Sequence, residues 1–152
     1  MQVEKEIRIL MKNLPKADSF DDGYDMLDIY VSQDKRFRVM FDPNSGKPIK
    51  CFWITGNGDN KIKQEAKITE IPTAYEMRVI KFFKDWLHIP NIGKGYMEKI
   101  VADNGKVFYS IEFEVEPKEF DRCWRELIQY FSSNYSDDFL KITDKTIVEL
   151  VE

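Results

Sequence analysis

One histidine, two cysteines and no long apolar run: each shortage in this chain removes a class of function. Hydrolase triads and most metal-assisted sites need imidazole as base or ligand, and only His88 is there to supply it. It falls near the end of an expected helix, where the helix dipole favours a cation, and reads as a structural or surface residue. Cys51 and Cys123 lack CxxC spacing and are too few for a disulfide framework. Both sit among apolar neighbours and read as reduced, buried thiols. The first residues are charged and carry no apolar stretch of signal-peptide length, and nothing approaches a membrane span. The expected compartment is therefore the cytoplasm, with no membrane contact.

A basic field is also missing. The formal net charge is -4 and the sequence pI about 5.2, which disfavours nonspecific binding to nucleic acid or anionic lipid. Phosphate loops are absent as motifs. Gly56-Asn57-Gly58-Asp59 and Gly93-Lys94-Gly95 have neither the GxxxxGK[ST] spacing nor a following helix, and read as turns. No cofactor, resident metal or catalytic residue is expected.

What the chain does have is core material. Its 152 residues are 43% hydrophobic and 14% aromatic, enough for a single globular domain spanning 1–152. Val3, Ile7, Leu10, Met11 and Leu14 share one face at helical spacing, so a helix is expected up to Pro15. Strands are expected over Met26 to Val31, Arg36 to Phe41 and Ile49 to Thr55, with an irregular or edge strand over Lys61 to Ile71. Thr73 and Glu76 form a capping-box signature before Val79, Ile80, Phe82, Phe83, Trp86 and Leu87, which predicts a central helix. Tyr96 to Ala102 and Val107 to Val115 flank Asn104-Gly105 and read as a hairpin closed by a type I′ turn. Pro117 opens a last helix with Phe120, Cys123, Trp124, Leu127, Ile128 and Phe131 along one stripe.

The fold class expected from this order is α+β: an antiparallel sheet of four to six strands with about three helices packed mainly on one face. The apolar tail 135–152 is expected to pack, as a short strand and helix, on the domain or on a partner. The element order is similar to that of small acidic secretion-type chaperones; no residue motif carries that resemblance. It implies a dimer with exposed apolar grooves.

Carboxylates are the remaining signal. Asp18, Asp21, Asp22, Asp25 and Asp28 place five acids in eleven residues without a base between them. They lack the ligand order of a calcium loop. Glu112 and Glu114 alternate along the expected wet face of a strand. Together these seven residues are the candidate partner contacts, since carboxylates steer a basic partner. The leading reading is a non-enzymatic domain of the inhibitor or immunity type that binds another protein with a basic surface; a homodimer is compatible with it. Asp59, Glu65 and Lys67 have the residue types of a metal-dependent nuclease or hydrolase, which stands as the enzymatic alternative. Trp53, Trp86 and Trp124 lie on apolar faces without interleaved cations and read as core.

Overall fold

The computed structural model describes residues 5–16, 25–42, 45–56, 61–73 and 77–151, the side chains of 77–85 and of Val148 excepted. Among the described residues nine strands carry the fold: β1 (Lys5–Met11), β2 (Asp25–Ser32), β3 (Lys35–Phe41), β4 (Pro48–Thr55), β5 (Ile62–Ala66), β6 (Met77–Ile89), β7 (Gly93–Ala102), β8 (Val107–Val115) and β9 (Phe139–Thr143). They form one hydrogen-bonded array in the order β5-β4-β3-β2-β6-β7-β8-β1-β9, and every pairing is antiparallel. One long helix, α1 (Phe120–Asn134), and a five-residue helix, α2 (Ile147–Val151), complete it.

The expected layout of four to six strands under about three helices is thus overturned, because two of the three expected helices are strands. Val3 to Leu14 fits a helical stripe, but Ile7, Ile9 and Met11 also repeat every second residue. The second period wins, since β1 is paired on both edges, by β8 and by β9. The expected Thr73 helix is β6. Its apolar residues are mostly β-branched or aromatic, types that suit a pleated surface. A register shift between Phe83 and Asp85 breaks their alternation and hides it from a sequence reading. The capping box itself rests on Glu76, which lies outside the described residues.

Other expectations hold. β2, β3, β4, the β7–β8 hairpin and α1 lie where the patterns put them, and β5 is an edge strand. The hairpin turn is of another type: Gly105 alone has positive φ (85°), and its N–H donates to the Ala102 carbonyl at 3.0 Å. Asn104 keeps ordinary φ, so a type I turn closed by a left-handed glycine replaces the type I′ turn. The tail packs on the domain, β9 beside β1 and α2 against Tyr30, Ile100 and Ala102.

The two faces of the sheet differ. On one, Ile7, Ile9, Met97, Ile111 and Phe113 meet Cys123, Leu127 and Phe131 of α1, positions four apart along the helix. Gly95 makes this packing possible, because a Cβ there would stand 2.6 Å from the Phe113 ring. Further along the same face Phe37, Val39 and Cys51 form a second apolar cluster, with Trp53 edge-on to Phe37 at 5.0 Å. The opposite face carries the charges.

That charged face is concave. β5 and β1 stand seven places apart in the strand order, roughly 34 Å in a flat sheet at the usual strand spacing. Lys61, next to β5, nevertheless reaches Glu6 of β1 at 3.8 Å. The sheet must curl to bring them together.

Candidate binding surface

Two regions concentrate groups capable of recognition: the concave face and the β4–β5 edge. Strand register builds the first. Asp28 on β2 lies directly opposite Arg38 on β3, and Tyr30 opposite Arg36. Arg38 donates from Nε to Asp28 Oδ1 at 2.7 Å and from Nη2 to Oδ2 at 2.9 Å, a bidentate pair. Arg36 Nε lies 3.3 Å from the same carboxylate, with its guanidinium over the Tyr30 ring. Across the sheet, Arg8 on β1 lies opposite Glu112 on β8. Its Nη1 donates to Ser110 Oγ at 2.7 Å and stands 3.6 Å from Glu98; its Nη2 is 3.7 Å from Glu112 and 4.0 Å from Glu6.

These charges are buried: Arg8 is 2% exposed, Asp28 1% and Glu112 7%. Burial alone would lower the Arg8 guanidinium, but Glu98, Glu112 and Glu6 together hold it above its ordinary value. Arg38 behaves the same way, burial opposing and Asp28 prevailing. Burial, with the Asp28 charge behind it, pushes the Tyr30 hydroxyl up. Glu6 is raised as well, by burial first and then by the neighbouring Glu112 carboxylate, against the pull of Lys61 and Arg8. Between these groups a cavity of about 30 Å³ remains, lined by Arg8, Asp28, Tyr30, Arg36 and Glu112 among others. That is room for a water or two and for no organic ligand.

Among the described residues the one group of three metal-type ligands is Glu6, Glu112 and Glu114, with one oxygen each within 4.8 Å of one another. Arg8 already stands against two of these carboxylates and Lys61 against Glu6. The cluster is the anionic half of an ion network, with much of its charge already answered by protein cations.

This placement revises the expected partner contacts. Asp28 and Glu112 face the interior and neutralise arginines, so neither carboxylate is presented to another molecule's surface. Asp25 is half-buried at the start of β2, and Glu114 is exposed on β8. Asp18, Asp21 and Asp22 lie outside the described residues, as does Asp59 of the nuclease alternative. Glu65 and Lys67 are exposed at the sheet edge, and neither belongs to the carboxylate cluster of Glu6, Glu112 and Glu114. His88 is exposed on β6 opposite Lys94, on a strand and not at a helix end. The network members a sequence reading misses are Arg8, Arg36, Arg38 and Glu98. The available signal for Arg36 and Arg38 was arginine on the polar phase of a strand whose hairpin partner carries Asp28 there; Arg8, paired with distant β8, left none.

The second region is open. Ile49 is 58% exposed and Ile62 69%, and Ile68 and Ile71 are exposed beside them in and after a 3-10 turn, Ile68–Glu70. β5 hydrogen-bonds β4 on one side and ends the strand order on the other. Lys61, Lys63 and Lys67 punctuate it. No family model, curated protein or solved structure matches this chain.

Proposed function

We propose that this chain is a non-enzymatic binding domain that acts by covering another protein, as inhibitors and immunity proteins do. The observation that supports it is the collection of exposed isoleucines at one end of the sheet, Ile49, Ile62, Ile68 and Ile71, beside a strand edge with no described neighbour. A large apolar group costs solvation free energy when left in water, roughly 25 cal/mol per Å² exposed, and here such groups stand at both ends of the β4–β5 pair, Ile62 opposite Thr55 and Ile49 six residues back along β4. The concave face supports the same reading from the other side. Its charges are matched to one another, and its remaining space is water-sized.

The test is affinity capture from the source lysate with the native chain and with a surface variant, Ile49→Ser, Ile62→Ser and Ile68→Ser combined. A stoichiometric protein retained by the native chain and lost by the variant is the expected result. Capture that is equal for both chains would overturn the assignment of this surface. A partner that instead depends on Asp25 and Glu114 would restore the acidic-surface form of the reading.

A further inference from the structure

We infer that β5 is an acceptor edge for an extended, acidic segment of a partner protein, which adds to the sheet as a tenth strand. This rests on the protein-binding reading and specifies its partner.

The geometry has three parts. Among the described residues β5 is the last strand on its side of the array, so the backbone groups that do not bond β4 have no described strand partner. An incoming strand would satisfy them, and side chains at alternate positions would supply specificity. The strand's two faces are unequal. Ile62, Gln64 and Ala66 lie in register with Thr55, Trp53 and Cys51, while Lys63 and Glu65 lie with Ile54 and Phe52. A partner strand thus meets an apolar exposed isoleucine on one face and a lysine on the other.

Charge selects the occupant. Residues 61–67 read Lys-Ile-Lys-Gln-Glu-Ala-Lys; Glu6 answers Lys61 at 3.8 Å, which leaves Lys63 and Lys67 against Glu65. Lys63 has no carboxylate in ion-pair range among the described residues, and its ammonium lies over the Phe52 ring at 5.3 Å. Partial burial, and the nearby positive charges of Arg38, Lys61 and Arg36, hold that ammonium below the ordinary lysine range. An arriving carboxylate relieves this. A second copy of the chain does not: its β5 edge carries the same net positive charge, so two such edges repel where an acidic strand is attracted. The lysines therefore guard the edge against self-pairing and leave it open to an acidic strand.

The experiment uses the full chain and two labelled decapeptides, one alternating valine with glutamate and one alternating valine with lysine, followed by anisotropy. The glutamate peptide should bind at least about tenfold more tightly than the lysine peptide, with the difference shrinking in high salt. Lys63→Glu, which alters an exposed side chain, should invert that preference. The glutamate peptide N-methylated at alternate amides should fail to bind, because it cannot complete the ladder. Native binding that tolerates N-methylation, prefers the lysine peptide or ignores Lys63→Glu would overturn the inference. If neither peptide binds while lysate capture still depends on the isoleucines, the strand-acceptor inference falls and the general binding reading stands.

Discussion

The concave face and the β4–β5 edge use the same residue types in opposite ways. On the concave face, register sets each arginine against a carboxylate: Arg38 against Asp28, Arg8 against Glu112. At the edge, Lys63 and Lys67 have no described carboxylate in ion-pair range and stand among exposed isoleucines. A net charge of -4 averages the two regions and describes neither. The buried charges join strands no more than two places apart in the order, and one partly exposed pair, Lys61 with Glu6, spans from beside β5 to β1. Charges left unmatched at an edge are available for recognition. Where a charge sits, more than how many there are, separates architecture from function.

The sharpest way to break the comparison is at Arg8. Arg8→Met leaves Glu98, Glu112 and Glu6 facing one another without their shared cation. Removing one partner of a buried ion network costs about 3–5 kcal/mol, because the remaining charge has lost its compensation. Urea unfolding at pH 7 should show this as a lower midpoint with an unchanged slope. The deficit should shrink as pH falls and the orphaned carboxylates take up protons. A loss below about 1 kcal/mol would show that Arg8 contributes no more than an ordinary surface charge does.

Glu6 sharpens the comparison with a smaller effect of opposite sign. Its folded pKa is raised by burial and by Glu112, so the folded state holds the proton more tightly than the unfolded chain does. The stabilisation from that proton is fully present below the ordinary glutamate range and is lost as pH rises through the raised value. Stability should therefore fall with rising pH across that window. Glu6→Gln keeps the shape without the charge, flattens this fall, and leaves the protein at least as stable as the native chain at pH 7. If the variant is instead much weaker at pH 7, the ion pairs with Lys61 and Arg8 outweigh the repulsion from Glu112. Chemical denaturation from pH 4 to pH 8 reads the outcome.

Legibility in the sequence follows the same division. Local pattern was enough where one period fitted: Phe37, Val39 and Phe41 for β3, the Asn104-Gly105 hairpin, and the stripe of α1. It failed where two periods fitted, as in β1, or where a bulge broke the alternation, as at Phe83 to Asp85 in β6. Both errors turned strands into helices; for β1 the deciding partners, β8 and β9, lie more than 90 residues away and leave no local trace. The site suffered in the same way. Asp28 and Glu112 look like solvated acids in one dimension, and only the register with Arg38 and Arg8 reveals them as buried counter-charges. The isoleucines of the edge read as ordinary strand residues until their exposure is known.

The smallest expected effect is the one that best isolates recognition from folding. Ile62→Thr keeps β-branching, so the strand loses no conformational preference, and the isoleucine it replaces is 69% exposed. Lys63→Gln removes an ammonium with no described ion pair. Neither change opens a cavity or orphans a buried group, so each should shift unfolding free energy by no more than about 0.5 kcal/mol. The Arg8 variant loses several times that amount without touching the edge. If instead Ile62→Thr costs as much as a core substitution, the isoleucine is held by contacts that exist in solution, and the edge is already occupied within the molecule. A silent substitution at Ile62 that still abolishes binding is the combination that only an unoccupied recognition edge produces.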